Sequence, residues 1–63
     1  MEILSYNLKT GVLSVKYNTK TVWEYSPINE DTFYQIMGAK SSNSKVKNIL
    51  RKLSIVGENK GVM

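Results

Sequence analysis

Residues 21–40 read TVWEYSPINEDTFYQIMGAK, and the change of pattern inside this stretch decides the fold class. "TVWEY" is β-branched and aromatic, with Trp23 and Tyr25 on one face and Val22 and Glu24 on the other. Pro27 then ends the strand, because proline has no amide hydrogen to give a sheet. Asn29 is a good N-cap. Glu30 and Asp31 put negative charge in the first helical turn, where the dipole favours it. Phe33, Ile36 and Met37 follow at helical spacing, with Lys40 in the last turn. The stretch is a strand-to-helix switch.

Working back toward the N-terminus, the pattern keeps a period of two. "VLSVKY" alternates, with Leu13, Val15 and Tyr17 on one side and Ser14 and Lys16 on the other. In "ILSYNL" the alternation selects Leu4, Tyr6 and Leu8. Gly11 in "KTG" and Asn18 in "NTK" supply residues that tolerate the left-handed backbone of tight turns. Such short turns pair neighbouring strands antiparallel. Trp23 and Tyr25 then share a face with the apolar residues of the middle strand.

Working forward, "SSNS" breaks the first helix, and Asn43 or Ser44 caps a second. Val46, Ile49, Leu50 and Leu53 form an apolar stripe at i, i+3, i+4 and i+7. Lys45, Lys47, Asn48, Arg51 and Lys52 take the other side. The remainder, residues 54–63, has Ile55 and Val56 but then glycines and polar residues, and reads as a frayed tail. The expected fold is α+β: a three-stranded antiparallel meander followed by two helices packed on one face, β-β-β-α-α, with residues 1–53 as a single domain.

A chain of 63 residues without cysteine has no disulfide to staple it, and without histidine no ordinary zinc site. Its stability must come from dense packing or from association, which predicts a homodimer. Tyr17, Trp23, Tyr25 and Phe33 are the expected aromatic core. Tyr34 points about 100° away from Phe33 and is the expected exposed ring. No apolar run spans a membrane, and "MEILSYN" lacks a signal peptide's segments, so the cytoplasm is expected.

Catalysis is not expected. Histidine and cysteine are missing as base or nucleophile. Ser41, Ser42 and Ser44 have no base, Glu30 and Asp31 serve the dipole, and the four glycines are too scattered to cradle phosphate. No cofactor is implied. The net charge of +4 is unevenly spread, since no acid lies between Thr32 and Gly57. Lys40, Lys45, Lys47, Arg51 and Lys52, with Tyr34, are therefore the candidate contact residues for nucleic acid or an acidic protein partner.

The stretch GVLSVKYNTKTVWEYSPINEDTFYQIMGAKSSNSKVKNILRK resembles the KTSC domain, a short module at the C-terminus of some lysyl-tRNA synthetases that also occurs as free-standing bacterial and phage proteins. Leu13, Val15 and Tyr17 match its L-x-V-x-F strand. Trp23 and Tyr25 match its Y-x-Y pair, Phe33 its helix aromatic, Ala39 and Ser41 its A-x-S, and Leu50 and Arg51 its closing pair. The resemblance covers roughly residues 3–52. Asn29 stands for a proline, Asn43 for a glycine with left-handed geometry, and Lys45 and Val46 for an aromatic pair. The synthetase context implies RNA binding. The phage occurrence implies instead a small inhibitor that binds a host protein, as an anti-defence or host-takeover factor in the host cytoplasm.

Overall fold

In the computed structural model, which describes residues 1–62, the first hairpin joins β1 (Glu2–Asn7) to β2 (Val12–Lys16). The Asn7 carboxamide accepts from the amides of Lys9 and Thr10, and the Gly11 amide closes the turn on the Asn7 carbonyl at 2.7 Å. Gly11 sits at φ +73°, and the Ile28 amide crosses close over it to bond its carbonyl at 2.8 Å. A side chain there would meet both the strained backbone and the Ile28 amide. In the second turn the left-handed residue is Lys20, at φ 64°, and not Asn18. β3 (Thr21–Tyr25) follows and pairs Leu13 with Tyr25 and Val15 with Trp23, which is the shared face read from the alternation.

Helix α1 (Glu30–Ala39) starts where the cap chemistry places it. The Asn29 side chain accepts from the Thr32 amide at 2.8 Å. Helix α2 (Asn43–Lys52) is capped by Ser42, one residue before Asn43 and two before Ser44, the two caps expected. Asn43 is thus helical, and the left-handed geometry expected for it is not there. Lys40 is the C-cap of α1 and lies just beyond its last turn.

The largest departure is in the last ten residues. Instead of fraying, six of them form β4 (Gly57–Val62), which pairs antiparallel with β3, while Met63 lies outside the described residues. The sheet therefore has four strands in the order β1-β2-β3-β4, not three. The device that turns the chain back lies at the end of α2. Ser54 adopts φ 56°, its amide bonds the Arg51 carbonyl, and the Ile55 amide bonds the Leu50 carbonyl. These are the two hydrogen bonds of a Schellman motif, with serine in the place usually held by glycine. Ile55 packs against the core beside Leu50, as the motif's apolar contact requires.

Leu13, Val15, Ile28, Ile36, Val46 and Leu50 form the centre of the core between sheet and helices. Tyr17 and Tyr25 are buried with them, and their hydroxyls bond each other at 2.6 Å. Phe33 is half-buried and stacks on Tyr6 at 4.2 Å between centroids, while the Tyr6 hydroxyl donates to the Ile28 carbonyl. Four apolar expectations fail. A bulge between Ile3 and Ser5 leaves Leu4 unpaired, so Ile3 and Tyr6 face the core while Leu4 faces solvent; Leu8 is exposed because it lies beyond β1, in the turn. Met37 is also exposed, at the margin of the apolar stripe of α1, and so is Leu53, which is the C-cap beyond the last turn of α2. No helix among the described residues is long and apolar enough to cross a membrane.

Candidate functional site

Addition of β4 extends the sheet beyond the area that the two helices cover. The inner face of β3 continues onto β4 through the pairs Tyr25–Gly57 and Trp23–Asn59. Along this margin α2 stands over the sheet and leaves a groove. One part, about 540 Å³, is floored by Trp23 and Tyr25 and edged by Asn43, Lys47 and Asn59. A second part, about 420 Å³, shares Tyr25 and Lys47 and continues past Arg51 to Val56.

The floor is aromatic. Trp23 and Tyr25 lie 6.4 Å apart with planes 15° from parallel. Trp23 was expected in the core, but it is only half-buried, and it packs against the core with one side while lining the groove. The reason is the strand order. Had β3 been covered like β2, Trp23 would lie under a helix; instead its sheet neighbour is the polar Asn59.

Gly57 makes this floor. A methyl group at Gly57 would stand 2.3 Å from Cε1 of Tyr25 and 3.0 Å from Cε3 of Trp23. Only a residue without Cβ lets the Tyr25 ring lie against β4.

The rim is cationic. The Lys47 ammonium lies 5.4 Å from the centroid of the Tyr17 ring, a cation–π contact. Arg51, one turn later, bonds the Asn48 carboxamide at 3.0 Å. Neither part of the groove is lined by a carboxylate. The sheet's own acids are on the opposite face, since Glu24 alternates with Trp23 and pairs with Glu58. Lys60 pairs with both, at 3.1 Å from Glu58 and 3.8 Å from Glu24. The pair raises the Lys60 pKa, chiefly through the Glu58 hydrogen bond. Among the described residues these are the only ion pairs, so the cations of α2 stand without an acidic partner.

The expected contact residues do not form one surface. Helical phase separates Lys47 and Arg51 from Lys45 and Lys52, on the two flanks of the apolar stripe. Lys52 lines a different groove, against Asp31 and Gln35 of α1. Tyr34 is 62 % exposed, as expected, but it sits 5.9 Å from Phe33, which stacks on β1. It is not part of the groove. Lys40, at the end of α1, lines none of these grooves either. The residues missed at the sequence level are Asn59 and Gly57, which lie in the segment read as a tail. The exposed half of Trp23 was missed for the same reason.

Burial, with the Tyr25 hydrogen bond behind it, raises the Tyr17 pKa above its ordinary value of about 10. Above that pH the folded chain keeps a proton that the unfolded chain releases, so stability falls as pH rises. The contribution is whole below pH 10 and is lost progressively toward the higher pKa of the folded state. The urea midpoint of the native protein should therefore drop between pH 8 and pH 11, and that of Tyr17→Phe should drop less. Equal drops would mean that Tyr17 carries none of the alkaline sensitivity.

Among the described residues no three acidic side chains converge on a point that could hold a metal ion. What the groove offers is an aromatic lining, amide groups and two cations, a set suited to an anionic ligand that carries rings. No family model, curated protein or solved structure matches the chain.

Proposed function

We propose that the protein is a small, non-enzymatic module that binds single-stranded nucleic acid, RNA or DNA, through the groove-facing flank of α2. The observation that carries this reading is the pairing of Lys47 and Arg51, free of acidic partners, with the exposed part of an aromatic floor. Cations take the phosphates, and rings accept bases without regard to sequence. The resemblance to the KTSC domain points the same way through its synthetase context.

Each phosphate contact on a single strand contributes about −0.7 to the slope of log affinity against log salt. Two contacts give a slope of at least about −1.4. Binding of a labelled oligonucleotide, measured by anisotropy from low to physiological salt, should show that slope. No binding at low salt would overturn the reading.

A second reading is favoured by one observation. Val56, which lines the groove beside Arg51, is 83 % exposed. An exposed apolar side chain next to a cation also fits an acidic host protein, the target of a phage-encoded inhibitor. A pull-down from nuclease-treated bacterial lysate tests it, and the absence of a stoichiometric partner sinks it.

A further inference from the structure

We infer that the groove between α2 and β4 seats one unpaired nucleobase, stacked on Trp23, with the adjoining phosphate between Lys47 and Arg51. The inference rests on the nucleic-acid reading and narrows it from a charged helix flank to a built subsite. The two adjoining parts, about 540 and 420 Å³, fall within the range of small-molecule sites. Trp23 contributes a ring fixed by the sheet on one side and open on the other. Tyr25 lies behind it, with its ring nearly parallel, and extends the apolar floor.

The polar groups are arranged around that floor. The Asn59 carboxamide oxygen is already occupied by the Gly61 amide at 2.7 Å, which fixes the side chain and leaves its NH2 group as a donor. Among the described residues the Asn43 carboxamide has no hydrogen-bond partner, so it keeps both donor and acceptor for a base edge. Every charge on the lining is positive, and the nearest acids of the sheet point away and are held by Lys60. Charge therefore selects an anionic ligand, and the ring selects one with a π-face. A nucleotide in a single strand has both. A duplex keeps its bases stacked and cannot present one without cost.

The chain's one tryptophan makes the test direct, because its fluorescence reports this groove alone. The native protein is titrated at low salt with an oligothymidylate, with an abasic oligonucleotide of the same length, and with an oligoglutamate peptide. The proposal expects quenching by the oligothymidylate and about tenfold weaker binding of the abasic strand. It also expects Trp23→Leu to bring the two strands to equal affinity while the protein stays folded by circular dichroism. If that variant does not fold, the comparison of the two strands on the native protein decides. Equal affinities without quenching overturn the base seat and leave nucleic-acid binding by charge intact. Binding of neither strand overturns both readings. Quenching by the peptide alone assigns the groove to an acidic protein and overturns the proposal.

Discussion

Reversing Lys47 and Arg51 together to glutamate lowers oligonucleotide affinity by about a hundredfold and cuts the salt slope by about 1.4. Reversing Lys45 and Lys52 lowers affinity by no more than about tenfold. Both double variants change the net charge from +4 to 0, since each of the two substitutions removes a positive charge and adds a negative one. Any difference between them is therefore a matter of position. Lys47 and Arg51 line the groove with Tyr25, whereas Lys52 lines the opposite groove beside Asp31. All four side chains are exposed, so the fold should survive either change. The one packed contact at risk is that of Lys47 on Tyr17, about 0.5–1 kcal/mol for an exposed cation–π pair. Anisotropy titrations at three salt concentrations would read both quantities. Equal losses in the two variants would show that only net charge matters and that the groove flank has no special role.

Gly57→Ala should cost about 3 kcal/mol of stability, a large share of what so short a chain can hold. The added methyl group would lie 2.3 Å from Cε1 and 2.8 Å from Cδ1 of Tyr25. Tyr25 has little freedom to retreat, because its ring is buried and its hydroxyl is bonded to Tyr17. Either the ring leaves the core or β4 leaves β3. In the second case Trp23 loses its neighbour strand, so its fluorescence should change along with the urea midpoint. Gly61→Ala is the contrasting variant: a Cβ there meets nothing within 4 Å, although φ +105° makes that backbone strained for alanine. A midpoint for Gly57→Ala no lower than that of Gly61→Ala would mean that β4 tolerates the methyl and that the Tyr25 contact is not what seats the strand.

These two predictions fall on opposite sides of what could be read from residues alone. The hairpin at Gly11, the inward residues of β2, the register of Trp23 and Tyr25 against it, and the Asn29 cap were all legible. Each rests on local chemistry: a turn that needs positive φ, alternation along a strand, a side-chain oxygen beside an orphan amide. β1 was misread because a bulge at Leu4 breaks the alternation, and nothing in "ILSYNL" announces it. β4 was missed because "GENKGV" has neither apolar alternation nor β-branched content before its final valine. It is a strand because the free edge of β3 offers hydrogen bonds, and because Gly57 fits under Tyr25.

The candidate site was legible by ingredient and not by arrangement. Lys47, Arg51, Trp23 and Tyr25 were all singled out, but as a basic face and an aromatic core kept apart. Tyr34 and Lys40 were grouped with the lysines, and the structure places them elsewhere. Helix–sheet packing decided this, since it rotated one flank of α2 toward β3 and the other toward α1.

By itself, then, the sequence determined the class of the fold, the strand-to-helix switch at Pro27, and the uneven charge of the second half. Those follow from short-range preferences, which act between residues a few positions apart. Only the tertiary structure decided that the last residues close the sheet, that Trp23 is floor and not core, and that two of the five cations face it. Those depend on contacts between distant segments, above all Tyr25 on Gly57, where the missing side chain of one residue makes room for the ring of another.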